Sequence, residues 1–298
     1  MKFLKIAFFL SLLFITNTNY AADIITNLNQ DWNNVKRQGC NIKDPDYVCS
    51  GIIIHVFDML SFQKLAQSSP KFTTDYNPWM PSEEGIKKGS VSFSYLRRDI
   101  AVEHSLYPGP VPAGYIFMPI SRLKQNKAPK LYDIYCEYPI NAASNNRDNK
   151  GCGFWGFKKQ PHNVISLNQT IPTDLGSCKD LGVDTAEKYI NQPIPYCSLS
   201  PDQAGFDLML NIIKYLKDNK IELVNDEIVI GEWSTYSDAA VPIEAFFYTT
   251  EDPNNMGETA AYNAAMLYKQ KTGISVPVIQ IDVQKLDQGE AEPFTSVK

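Results

Sequence analysis

Residues 90–96 read Ser-Val-Ser-Phe-Ser-Tyr-Leu. Small polar residues alternate with apolar ones. Val91, Phe93 and Tyr95 fall on one face of an extended chain, and Ser92, Ser94 and Leu96 on the other. Side chains of a strand alternate with a period of two, so this stretch predicts a half-buried β-strand. Arg97, Arg98 and Asp99 follow at its end. On the N-terminal side, GIIIHVF (51–57) is a short β-branched run that predicts a buried strand carrying His55. On the C-terminal side, GYIFM (114–118) and LYDIYCEYPI (131–140) predict further strands. DEIVIGEW (226–233) and VPIEAFFY (241–248) read as two strands joined by the polar loop STYSDAA, and VPVIQIDV (276–283) as a last strand.

Helical signals come late. Ser200-Pro201-Asp202-Gln203 predicts a helix start, with Ser200 as N-cap, Pro201 as first helical residue and Gln203 as capping-box partner. Phe206, Met209, Leu210, Ile213 and Leu216 continue at helical spacing. A second helix is expected over 256–271, with Tyr262, Ala265 and Met266 facing inward and Gly273 ending it. Strands dominate and helices are few, which favours an α+β fold on a mixed or antiparallel sheet over an alternating doubly wound one. No GxxxxGK[ST] occurs, so no P-loop site is indicated.

The N-terminus places Lys2 and Lys5 before the apolar run Ile6–Ile15, interrupted only by Ser11 and followed by polar TNTNY and Ala21-Ala22. A membrane-spanning helix needs about 20 apolar residues, so the pattern predicts a secretory signal peptide over 1–22. Residues 23–298 are then expected to form a single, secreted catalytic domain with no membrane span. Residues 141–200, rich in Asn, Asp, Gly and Pro, read as long loops stapled by cysteines, and the tail over 285–298 as loose.

The chain has 28 basic and 33 acidic residues and a formal net charge of −5, which becomes −7 without Lys2 and Lys5. No basic run is present to neutralise phosphates, so no nucleic-acid partner is expected. All six cysteines lie after the leader, an even number that favours disulfides in an oxidising compartment. Nearest-neighbour pairing (Cys40–Cys49, Cys136–Cys152, Cys178–Cys197) would close three short polar loops, among fifteen pairings that six cysteines allow. No CxxC occurs, and His55, His104 and His162 are far apart in sequence, so no metal site is expected.

Three predicted strands carry polar residues that an apolar core does not call for: His55 in the first, Ser92 and Ser94 in the second, and Asp226-Glu227 ahead of the third's Ile228-Val229-Ile230. This order resembles the ADP-ribosyltransferase toxins. There an early strand ends in Arg or His, a middle strand carries Ser-x-Ser, and a late strand carries a catalytic Glu. A broader resemblance rests on CSGIIIH, WMPS, GSVSFSYLRRD, GYIFMP, CEYPINAASNNRDNKGCG, NDEIVIGEW, PIEAFFYT and TGISVPVIQI, in this order. With these pieces the chain resembles the halovibrin family, secreted bacterial enzymes that consume NAD. One departure is His55, where the family pattern has Arg; His is mostly neutral at pH 7.

The resemblance implies an ADP-ribosyltransferase-like fold and NAD as substrate, with no separate cofactor. Cleavage of the nicotinamide–ribose bond passes through an oxocarbenium-like state, which a fixed carboxylate stabilises. Glu227 is the expected catalytic group, with Glu232 and Glu244 as alternatives, and Ser92 or Ser94 positions it or the ribose. Arg97, or Arg98, would hold the pyrophosphate, His55 would contact substrate, and Trp79 or Phe93 would stack on nicotinamide. Hydrolysis uses water as acceptor; an ADP-ribosyltransferase acting on a host or competitor-cell target would use a side chain instead. Outside NAD chemistry the alternatives are a thiol hydrolase or deamidase built on Cys49, shortly before His55, and a non-enzymatic secreted binding protein.

Overall fold

A computed structural model describes residues 21–35, 51–57, 90–101, 105–106, 113–118, 133–140, 152, 177–191, 197–221, 225–231, 242–252 and 254–297. Their strands are β1 (Ile52–Val56), β2 (Ser90–Leu96), β3 (Ala113–Phe117), β4 (Asp133–Tyr138), β5 (Glu227–Gly231), β6 (Ile243–Thr249), β7 (Val278–Ile281) and β8 (Phe294–Ser296). The helices are α1 (21–33), α2 (Ala186–Asn191), α3 (Gln203–Asp218), α4 (Met256–Thr272) and α5 (Val283–Asp287). The strands form one eight-stranded sheet in the order β4-β5-β2-β1-β3-β6-β7-β8. Every pairing is antiparallel except β6 with β7, which are parallel. Parallel neighbours need a long crossover, and α4 supplies it. The architecture is therefore α+β with a mixed sheet, as the strand-rich pattern predicts.

Helices cover both faces, and strand alternation divides the core accordingly. Ile53, Phe93, Tyr95, Tyr115 and Phe246 pack with Phe206 and Met209 of α3 and with Ala260 and Ala264 of α4. Their neighbours in sequence, Ile52, Ile54, Leu96, Ile116, Ala245 and Phe247, pack on the opposite face with Ile24, Leu28 and Trp32 of α1 and Leu286 of α5. The sequence assigns no element to 23–50, yet Ile24, Leu28 and Trp32 recur at i, i+4 and i+8, one stripe of a helix. Strand β2, expected to be half-buried, is therefore covered on both sides, and only Ser92 among residues 91–96 retains intermediate exposure. No described helix is long and apolar enough to cross a membrane.

Three local expectations need correction. The N-cap of α3 is Asp202 rather than Ser200: the Asp202 carboxylate accepts from the Gly205 N–H at 2.8 Å. The Ser200 carbonyl turns in against Gly205, where a Cβ would lie 2.0 Å from it, so Ser200 belongs to the turn before the cap. In α4 the inward residues are Ala260, Ala261, Ala264 and Tyr268, while Tyr262 and Met266 are exposed. Alanines let the crossover helix lie close on the sheet, and this close approach leaves the larger side chains outside. Gly273 ends α4 as expected, in the left-handed conformation at φ 75°.

The third correction concerns the tail. Residues 283–287 are helical and 294–296 pair with β7. Phe294 is 1% exposed and meets Trp32 edge-on, with ring centroids 6.4 Å apart. The Asn29 side chain brackets it, donating to the Phe294 carbonyl at 2.9 Å and accepting from its N–H at 3.3 Å. Trp32 Nε1 donates to the Glu290 carbonyl at 2.7 Å. Helix α1 thus satisfies the backbone of a polar segment that has little apolar signal of its own.

Two expected disulfides are present, Cys136–Cys152 and Cys178–Cys197. The Cys40–Cys49 pair lies outside the described residues, as do Trp79, His104, His162 and Glu232.

Candidate functional site

The three strands that carry the polar residues of the sequence pattern are neighbours in the sheet, in the order β5-β2-β1. On β2 and β5 the register pairs Ser92 with Val229 and Phe93 with Ile228, and one further step sets Ser94 across from Glu227. On the other side of β5, Tyr138 of β4 pairs with Glu227 and Cys136 with Val229. Paired residues point to the same face. Ser92, Ser94, Glu227, Val229, Tyr138 and the Cys136–Cys152 disulfide therefore share one face.

Three consecutive residues at the start of β5 each grip one residue of β2. Asn225 Nδ2 donates to Ser94 Oγ at 2.8 Å. Asp226 Oδ1 accepts from the Tyr95 backbone N–H at 2.6 Å. Ser92 Oγ donates to Glu227 Oε1 at 2.5 Å. All three are buried, Glu227 to 2% exposure. A carboxylate taken out of water needs hydrogen-bond donors, and the Ser92 hydroxyl is one of them. Burial pushes the Asp226 carboxyl well above the ordinary carboxylate range; the Tyr95 N–H opposes this and the neighbouring Glu227 charge reinforces it.

His55 and Phe93 do not join this face. His55 pairs with Tyr115 in the β1–β3 ladder, and its ring packs against Phe93 and Tyr115 at 5.8 and 5.0 Å. Phe93 is 2% exposed and also packs edge-on against Phe117 at 5.3 Å. Alternation along the strand sends both rings to the side covered by α3 and α4, where Phe93 serves as core. His55 nonetheless reaches the site from behind. Its Nδ1 lies 2.7 Å from the Ser92 carbonyl oxygen. A carbonyl only accepts, so this bond requires the proton on Nδ1.

The two arginines hold protein partners. Arg97, 7% exposed, makes a forked pair with Asp99, Nε to Oδ1 at 2.6 Å and Nη2 to Oδ2 at 2.9 Å. Burial works against its charge, and the hydrogen bonds to Asp99 and Tyr95 together with the Asp99 charge outweigh this, raising its pKa. Arg98 is exposed and bridges the tail and α1, donating to the Gly289 carbonyl at 2.7 Å and to Asn33 Oδ1 at 3.0 Å. Glu244 is buried on β6, separated from β5 by three intervening strands, at about 19 Å for four spacings of about 4.8 Å. It and Glu227 cannot serve one reacting centre.

Arg97, Ser105, Asn225 and Asp226 line a cavity of about 20 Å³, together with Tyr95 and Ile213. That is room for one water molecule and far too little for a nucleotide. Among the described residues no group of three or more His, Cys, Asp or Glu side chains is placed to hold a metal ion.

The sequence pattern singles out Glu227, Ser92 and Ser94, and the structure brings these together. It assigns no role to Asn225 and Asp226, although the polar trio before an aliphatic run is the visible signal for them. Nothing in the sequence marks Tyr138 as the neighbour of Glu227. Set against known proteins, the chain matches no family model, no curated protein and no solved structure.

Proposed function

We propose that this chain is an NAD glycohydrolase built on an ADP-ribosyltransferase-like sheet, with Glu227 as the catalytic carboxylate and Ser92 and Ser94 as its positioning hydroxyls. The observation that carries the reading is the Ser92–Glu227 hydrogen bond between two adjacent strands. It unites the Ser-x-Ser and the Glu that the resemblance assigns to one site, and the side-by-side order β5-β2-β1 supports the same assignment.

In this reading the C1′–N bond of NAD breaks with its electron pair leaving on nicotinamide. Glu227 faces the oxocarbenium that remains, and water adds to C1′ and loses a proton to give ADP-ribose. Positive charge grows only as the bond breaks, so the carboxylate binds the transition state more strongly than the substrate. His55 serves this site by holding the Ser92 carbonyl from the far side of the sheet. A pyrophosphate reaching Arg97 would have to displace Asp99. The two disulfides suit the oxidising compartments met by a secreted protein.

Incubation with NAD tests the proposal. Equal release of nicotinamide and free ADP-ribose is expected. ADP-ribose attached to an added protein would replace hydrolysis by transfer, and no nicotinamide release at all would overturn NAD chemistry.

A further inference from the structure

We propose that Asp226 is a positioning residue for the Ser92–Glu227 pair: its side chain closes the β2–β5 ladder at Tyr95 and so fixes the register that sets Glu227 against Ser92 and Ser94. The kinetic part of this inference rests on the NAD reading; the structural part does not.

The backbone ladder between these strands runs from Ser90↔Gly231 to Phe93↔Ile228. Beyond it, the Tyr95 N–H meets Asp226 Oδ1 in place of a backbone carbonyl. The Asp226 carbonyl in turn accepts from Asn225 Nδ2 at 3.2 Å, the same amide that donates to Ser94 Oγ. Loss of the Asp226 acceptor would orphan a buried N–H and release the end of β5 that bears Glu227. A buried donor without a partner is costly, so this bond is a strong determinant of register.

The surroundings of Asp226 favour the protonated acid over the carboxylate. Asp226 is 8% exposed and adjoins Glu227, and both burial and that charge oppose its ionisation. From the end of β2, Tyr95 and Arg97 face it, but Arg97 Nε and Nη2 are taken by Asp99. From α3 comes apolar Ile213, with Lys217 one turn on bonded to the Asp99 carbonyl. Ser105, Pro139 and Asn225 complete the surroundings without charge. Protonated or ionised, the Asp226 side chain keeps an oxygen that accepts from the Tyr95 N–H.

The test compares full-length wild type with Asp226→Asn and Asp226→Ala. The folded carboxyl holds its proton above its ordinary value of 3.8, whereas the unfolded chain releases it there. Wild-type stability relative to Asp226→Asn should therefore fall as pH rises from about 4 to the folded pKa, because the native state binds more protons in that window. Asn keeps an oxygen for Tyr95, so Asp226→Asn should retain kcat and KM for NAD within a few-fold and lack any fall in kcat that ionisation of Asp226 would bring to the wild type as pH rises. Asp226→Ala should lose more than tenfold in kcat with KM little changed. A melting-temperature difference independent of pH, or a folded Asp226→Asn as inactive as Asp226→Ala, would overturn the inference. Should wild type fail to cleave NAD, the functional reading falls alone, and the melting series still decides the state of Asp226.

Discussion

Ser92 Oγ and Glu227 Oε1 stand 2.5 Å apart across neighbouring antiparallel strands, although 135 residues separate them in the chain. Neither strand has to move for the contact to form, because the β2–β5 ladder runs from Ser90 to Phe93 beside it. Ser92→Ala removes a donor from a buried carboxylate. A hydrogen bond to a charged group contributes about 1.5–3 kcal/mol. NAD turnover should fall roughly ten- to a hundredfold by the same figure, with a stability loss of similar size seen in urea unfolding. Ser92→Thr, which keeps the hydroxyl on a strand-compatible side chain, should restore most of both. Equal loss in the Thr and Ala variants would show that the hydroxyl is not what matters.

Arg97 and Arg98, adjacent in sequence, should respond differently to truncation. Arg97→Ala deletes a buried stem and leaves Asp99 without its forked partner, so a stability loss of about 2 kcal/mol is expected. Arg98→Ala cuts two exposed contacts, and about 1 kcal/mol or less should follow. Urea unfolding of the two single variants makes the comparison. An Arg97→Ala protein of unchanged stability with a raised KM would return this side chain to the pyrophosphate.

The Cys178–Cys197 disulfide closes a loop of 19 residues, and both sulfurs are in the core. Loop-closure entropy alone amounts to about 3 kcal/mol for such a length. The double replacement Cys178→Ala with Cys197→Ala should lower stability by about that amount, and reductant should lower the melting temperature of wild type but leave the melting contribution of this pair absent in the variant. Mass mapping under native conditions should recover Cys136–Cys152 and Cys178–Cys197 as linked peptides.

Phe294→Ala tests the ordered tail. The ring is enclosed by Trp32 and the residues of the α1 face. Truncation of a buried aromatic side chain typically costs about 3–5 kcal/mol. A loose tail would give no change, so circular dichroism melts of the variant decide between the two descriptions.

The strands were legible because IIIHV, SVSFSYL and IVI declare themselves through β-branching and alternation, and Ser92, Ser94 and Glu227 stood out as polar residues on such strands. The face each one occupies in the fold was less accessible. Alternation tells that Phe93 and Ser92 point oppositely, but not that both sides of β2 are covered, and so the sequence alone could not remove Phe93 and His55 from the Glu227 face. Strand order was beyond reach too: β5 and β6 follow one another in the chain yet have three strands between them. β8 is only three residues long, and it is held by the Asn29 amide from 265 residues away. An interaction of that range leaves no local pattern. In α4, size reversed the expectation, since alanines rather than Tyr262 and Met266 met the sheet.

Glu227→Gln is the decisive substitution for the proposed chemistry. Gln has nearly the same size, and its amide oxygen can still accept from Ser92, so the β2–β5 register should hold and circular dichroism should be unchanged. What disappears is the negative charge on a rigid strand, the feature proposed to stabilise an oxocarbenium at that point. A preorganised electrostatic contact of this kind supplies about 3–4 kcal/mol, which corresponds to a loss of two orders of magnitude or more in NAD cleavage. KM should change little, because the ground-state nicotinamide–ribose bond offers the carboxylate no full positive charge at C1′. Glu244→Gln is the matched control: it too is a buried acid on a strand, but with three strands between it and β5, and it should retain activity if it folds. A folded, inactive Glu244→Gln beside an active Glu227→Gln would move the reacting centre to β6. Full activity in both would remove the strand carboxylates from the mechanism altogether.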